Sequence, residues 1–226
     1  MRKCTSHSYT HPGHMRMNNE DSYYSNDESS LWIVCDGMGG HQEGNFASHL
    51  VTDIFEYVDL RGTFENKIEH IQSQFYNIQK ILEKKAHKLG NNAIIGTTLV
   101  LLLIDDNQAA TIHSGDSRCY VHRHDKLSMV TQDHAKNIPG ENGDRKALTR
   151  ALSAPGTLSL EVQRFAIEKD DVYLLCSDGF YDNLSNADIK NGLALKDLKD
   201  CMNSMTSTVL SGKADDNLTA IIIRVG

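Results

Sequence analysis

The sequence predicts an α+β layered sandwich, in which antiparallel sheets carry helices on their outer faces. Three observations predict it. Short runs rich in β-branched and aromatic residues recur along the chain, and several are apolar throughout, as strands buried on both faces must be. Separate stretches repeat apolar residues at helical spacing. Two of those stretches stand back to back ahead of a block of strands, an order that breaks strict βαβ alternation.

The first apolar run spans 31–35. Phe46, Leu50, Ile54 and Val58 then recur every fourth residue after a Gly/Asn start, and Ile68, Ile71, Phe75, Ile78 and Leu82 form a second stripe that ends at Gly90. Strands are predicted at 97–104, 109–113, 118–122, 160–167 and Val172–Cys176. Leu195, Leu198, Met202, Met205 and Val209 mark a third helix, and Leu218–Val225 closes the chain as a strand. The helical stripes are core faces, since an amphipathic helix buries its apolar side.

With 226 residues, only 3 prolines and no linker-like tract, the whole of 1–226 is expected to form a single domain. A formal net charge of -7 argues against a bulk electrostatic hold on nucleic acid. The 5 cysteines are odd in number, widely spaced and without a CxxC pair, which implies free thiols in a reducing compartment. No apolar segment follows the charged N-terminus, and the longest apolar run, 99–104, is too short to span a bilayer. A cytoplasmic protein with no membrane partner is expected.

Chemistry concentrates where strands end. The first run ends at Asp36-Gly37, and Val172–Cys176 ends at Ser177-Asp178-Gly179. The 109–113 run leads to Gly115-Asp116-Ser117-Arg118, and Asp215-Asp216-Asn217 precedes the last strand. Each Asp-Gly taken singly is also the commonest hairpin signal. Jointly, carboxylates at the ends of buried neighbouring strands would crowd one edge and repel unless cations neutralise them. Oxygen ligands without histidine or thiolate select Mg²⁺ or Mn²⁺. Two such ions make a phosphoester hydrolysis site by acidifying a water and bracing charge at phosphorus. An arginine fork for the phosphate oxygens is available in Arg16, which Asn19-Glu20-Asp21 follows closely.

Several blocks stand in order: Arg16 to Asp21, Val34 to His41, Gly96-Thr97-Thr98-Leu99, Gly115-Asp116-Ser117-Arg118, Leu148-Thr149-Arg150-Ala151-Leu152, Cys176-Ser177-Asp178-Gly179 and Asp216-Asn217-Leu218-Thr219. From about Thr10 to the C-terminus they closely resemble the type 2C, metal-dependent protein phosphatases in their bacterial form. The resemblance implies a four-layer α-β-β-α sandwich and hydrolysis of phosphoserine and phosphothreonine in proteins without a phosphoenzyme. It implies that Asp36 bridges two metals with the Gly37 carbonyl as a further ligand, and that Asp178 and Asp216 complete the first metal. Glu20 would serve the second metal directly or through water, and Asp21 would accept from water on a metal. Asp116, with Asp178, would hold a third, weaker ion, and Arg16 would bind the phosphate. A cognate serine/threonine kinase is the implied partner, and a monomer is expected. The Thr10-His11-Pro12-Gly13 opening and the 174–179 block resemble phosphatases that accompany type VI secretion kinases.

Two positions depart from the family. Met38 stands where animal relatives carry a histidine, leaving His41 or a water on the metal as the acid for the leaving group. The flap that bacterial relatives insert between Gln132-Asp133-His134 and Leu148-Thr149-Arg150 is reduced to 135–147. Two other function classes remain: a pseudophosphatase that binds phosphoproteins as an adaptor, and a serine esterase built on Gly115-Asp116-Ser117, which would need a paired histidine and oxyanion donors.

Overall fold

The structure is a computed structural model that describes residues 2–39, 42–90, 93–139, 145–153 and 158–226. Strand β3 (Leu31–Met38) shows how its layers arise. Successive side chains of a strand point to opposite faces. Leu31, Ile33 and Cys35 therefore join a core beneath Phe55, Ile68, Phe75 and Leu82, while Trp32 and Val34 join a separate core on the other face. A continuous apolar run is what burial on both faces demands.

Strand β3 lies in a six-stranded antiparallel sheet with β2 (Asp21–Asn26), β4 (Gly96–Thr97), β5 (Leu99–Asp105), β6 (Gln108–Ser114) and β11 (Glu161–Ala166). Its order is β11-β6-β5-β3-β2, and β4 pairs with the end of β3. The second sheet has five strands in the order β1 (Cys4–His11), β13 (Leu218–Val225), β12 (Val172–Cys176), β7 (Arg118–Arg123) and β8 (Lys126–Met129). Val100 and Leu102 of the first sheet meet Tyr173, Leu175, Ile221 and Ile223 of the second in the inter-sheet core.

Helices α1 (Gln42–Phe55) and α2 (Phe64–Leu89) cover the outside of the first sheet. On the outside of the second, α4 (Asn186–Leu193) brings Ile189 and Leu193, and α5 (Leu198–Ser211) brings Met202, Met205 and Val209, into one core with Leu174, Cys176 and Ile222. The layers therefore run α-β-β-α, as the sequence predicts. A short hairpin of β9 (Ala135–Ile138) and β10 (Arg145–Leu148) stands apart from both sheets where the flap is reduced.

The differences from expectation have local causes. Strands β1 and β2 have no apolar run to announce them, because each lies at a sheet edge. Helix α4 is short, and a Ser185 capping box starts it. Leu195 lies ahead of α5, which Asp197 caps, and Val58 lies beyond the end of α1, although it still packs on the core. The strand expected at 97–104 is divided at Thr98, whose N–H donates to the Asp36 carbonyl at 2.8 Å. Strand β3 continues through Asp36, Gly37 and Met38, so the first Asp-Gly is strand and not a hairpin turn.

Candidate active site

The register of β2 against β3 places Asp21 directly opposite Asp36. Like charges facing one another across a strand pair are destabilising, so this pairing calls for a cation. From the other sheet, β12 ends at Cys176, Ser177 follows at the N-cap, and Asp178 opens the single turn of α3 (Asp178–Tyr181). Asp216 stands just ahead of β13, the antiparallel neighbour of β12. The carboxylates thus come from the ends of both sheets. They meet in a cleft of about 530 Å³ lined by Arg16, Glu20, Asp36, Gly37, Thr98, Asp116, Lys146, Asp178 and Asp216.

Backbone contacts hold this edge tightly. Gly37 donates its N–H to the Glu20 carbonyl at 3.2 Å, and a Cβ there would lie 2.6 Å from that oxygen and collide with the Gly44 carbonyl. Only glycine allows so close an approach. Thr98 Oγ1 accepts the Asp36 N–H at 3.1 Å and bonds Ser117 Oγ at 2.6 Å. Asn217 ties the N-terminal loop to β13: its Oδ1 accepts the Glu20 N–H at 2.8 Å, and its amide donates to the Pro12 and Asn18 carbonyls at 3.0 Å.

Asp21 sits behind the cleft at 3% exposure. It accepts from Ser177 Oγ at 2.8 Å, a bond that joins the two sheets, while its Oδ1 is buried without a partner. Burial, followed by the nearby Asp178 and Asp216 charges, pushes the Asp21 carboxyl up to about 7 against the lowering effect of the Ser177 hydroxyl. Burial, then Asp116 and Asp216, lifts Asp178 to about 6. Burial, with Asp21, Asp178, Asp216 and Asp116 around it, raises Asp36 well above the carboxylate range. Among the described residues, two cations reach the cluster. Arg16 bonds Asp216 Oδ2 at 2.9 Å, and Lys146 bonds Asp116 Oδ2 at 2.7 Å. Asp36 and Asp178 form no salt bridge among the described residues.

The fold therefore gathers every carboxylate and the arginine expected from the sequence, with Asp21 one layer back. His41 lies outside the described residues. Lys146, Ser177 and Asn217 were missed as contributors, and so was Asp133, which takes both Arg118 Nε and Arg118 NH2 at 2.8 Å. Only the motif blocks containing Ser177, Asn217 and Asp133 hinted at them. Ser117 is 1% exposed and bonded to Thr98, which leaves no accessible hydroxyl for the esterase alternative.

A different set of ligand-type side chains, His113, His134 and Glu161, also clusters. His134 Nδ1 accepts the Gly115 N–H at 3.3 Å, and its Nε2 lies 3.0 Å from Glu161 Oε2 and 3.3 Å from Arg150 NH1. The two imidazoles stack with centroids 4.6 Å apart and nearly parallel planes, so their in-plane lone pairs run side by side, and His113 Nε2 is spent on the Gln132 carbonyl.

The description "Protein phosphatase 2C" fits a family model over residues 12–222. The chain belongs to the protein phosphatase 2C family. The chain is 29% identical to serine/threonine protein phosphatase PstP of Mycobacterium tuberculosis over 94% of its length but spans only 43% of PstP. Protein phosphatase PhpP of Streptococcus pneumoniae is 30% identical over 80% of this chain and 81% of PhpP. Among solved structures, PppA, a key regulatory component of T6SS in Pseudomonas aeruginosa, superposes with a TM-score of 0.91 at 30% identity, covering 99% of this chain and 98% of PppA. The catalytic domain of PstP in complex with 2 manganese ions superposes at 0.81 with 26% identity over 98% of each chain. The antiparallel double sheet between helices is thus the fold of this phosphatase family.

Proposed function

We propose that this phosphatase 2C chain hydrolyses phosphoserine and phosphothreonine esters in proteins with the help of two divalent cations, Mn²⁺ or Mg²⁺. One observation carries the reading: a pocket where Asp36 and Asp178 have no salt bridge among the described residues, backed by a buried, unpartnered Asp21 oxygen. Such a cluster is short of positive charge, and its donors are all oxygen, the chemistry hard cations select. The PstP domain with manganese supports the choice of ion.

Asp36 would hold both ions with the Gly37 carbonyl as a further ligand, Asp178 and Asp216 would hold the first, and Glu20 the second, directly or through water. Asp21 would orient water from behind. When bound, the ion pair supplies an acidified water and neutralises charge that develops on the phosphoryl oxygens. Arg16 is the chain's own phosphate ligand. It is half-exposed and rests on Asp216, so it is free to turn its fork to a phosphate once Asp216 is otherwise neutralised. Asp116, expected to share a third ion with Asp178, is already held by Lys146.

The substrates are proteins phosphorylated by a cognate serine/threonine kinase. Similarity to PppA supports a regulatory part in type VI secretion. None of the helices among the described residues is long and apolar enough to cross a membrane. We take the chain to act as a monomeric single domain in the cytoplasm, where its free, buried cysteines are at home. The test is phosphate release from a phosphothreonine peptide, abolished by EDTA and restored by Mn²⁺ or Mg²⁺. Turnover that survives EDTA would refute metal dependence, and tight peptide binding without turnover in either metal would establish the adaptor instead.

A further inference from the structure

Lys146 belongs to the β9–β10 hairpin, outside both sheets, yet its side chain lines the catalytic cleft. An ammonium has three N–H donors, and here each has an oxygen acceptor. Nζ lies 2.7 Å from Asp116 Oδ2, 2.7 Å from the Tyr181 hydroxyl and 3.3 Å from Asp133 Oδ2. The acceptors are themselves fixed. Tyr181 donates its own proton to the Asp116 carbonyl at 3.1 Å, Arg118 grips both oxygens of Asp133, and the Arg118 guanidinium lies 3.6 Å over the Tyr181 ring. Nζ thus occupies a cage of two carboxylates and a phenol, surroundings that would otherwise suit a small cation.

The backbone anchors the hairpin to the same corner. Thr149, just past β10, donates its N–H to the His134 carbonyl at 2.8 Å, and His134 donates its own to the Gly115 carbonyl at 2.9 Å. Gly115 takes φ +119°, the conformation that turns the chain into Asp116. Lysine and acid are therefore held in register by one continuous set of contacts.

We propose that Lys146 is the resident cation at Asp116: its ammonium fills the position that a third divalent ion would take, so the cleft binds two ions and the flap hairpin supplies the remaining positive charge. The proposal rests on the two-ion reading above. A divalent ion on Asp116 would face the ammonium across one carboxylate, where like charges a few ångströms apart repel strongly. To enter, it must pull Nζ from three oxygens at once. Lys146 is then a positioning residue, which holds Asp116 and docks the hairpin over the cleft.

Bound manganese per chain, measured by equilibrium dialysis and elemental analysis, tests this on the intact protein and on Lys146→Met, Lys146→Arg and the double variant Lys146→Met/Asp116→Asn. The wild type should take two ions, as should Lys146→Arg. Lys146→Met should gain a third, weaker ion, which the added Asp116→Asn removes. A wild type that takes three ions, or a folded Lys146→Met that stays at two, overturns the proposal and leaves the two-ion site standing. A wild type that takes no manganese overturns the two-ion reading and this proposal with it.

Discussion

Replacing Asp36 by asparagine should stabilise the metal-free protein while it destroys the site. The side chain is half-buried at the wall of the cleft among four other acids, and its carboxyl is raised well above the ordinary 3.8. At pH 7.5 the fold can always escape an ionised Asp36 by keeping a proton on it, which costs about 1.4 kcal/mol per pH unit above 3.8, or roughly 5 kcal/mol in all. That is the ceiling on the penalty. Crediting Asp36→Asn with about half of it gives a few kcal/mol, and in a chain of this size 1 kcal/mol moves Tm by about 2–4 °C. A rise of roughly 5–10 °C in EDTA is the expected outcome by differential scanning calorimetry. The sign with pH follows from linkage. Between the ordinary value and its raised folded value, Asp36 binds more protons folded than unfolded, so metal-free stability falls as pH rises through that window. The advantage of Asp36→Asn should vanish near pH 4 and grow as pH rises above it. Saturating Mn²⁺ should reverse the order, since only the wild type gains from the ion. A variant less stable than wild type in EDTA at pH 7.5, or an advantage that ignores pH, would refute the reasoning.

Other perturbations separate the parts of the site. Arg16→Ala should lower kcat/KM for a phosphopeptide about tenfold, chiefly through KM, with Tm almost unchanged because its ion pair is half-exposed; an unchanged kcat/KM would remove Arg16 from phosphate binding. Ser177→Ala strips Asp21 of its hydroxyl donor and leaves the Thr219 N–H without its 3.0 Å acceptor, so it should cost about 1–3 kcal/mol by urea denaturation and weaken Mn²⁺ binding by titration calorimetry. Gly115→Ala forces a side chain into φ +119° with its Cβ 2.7 Å from the Thr98 side chain, and should cost at least about 2 kcal/mol of stability in the same denaturation assay.

Much of this was legible because burial on two faces leaves a mark on sequence. Strands β3, β5, β12 and β13 carry apolar residues at nearly every position, and the acids that terminate β3 and β12 stand out against them. Strands β1 and β2 left no such mark, since an edge strand keeps one face polar, and with β2 went the pairing that sets Asp21 against Asp36. Lys146 was illegible for another reason. Its hairpin is rich in Gly, Asn and charge, and nothing local tells that a lysine there reaches Asp116, 30 positions earlier in the chain. Asn217 and Thr98 act through backbone bonds to segments far away in sequence, which no periodicity encodes. The structure thus adds the partners, while the acids themselves could be read from where strands end.

Crystals grown with Mn²⁺ and measured at the manganese absorption edge test the central claim most directly. Two anomalous peaks about 3.5–4 Å apart, flanking the Asp36 carboxylate and reached by Asp178 and Asp216, are the predicted result. Peaks absent from that cleft, or found instead between His113, His134 and Glu161, would contradict it.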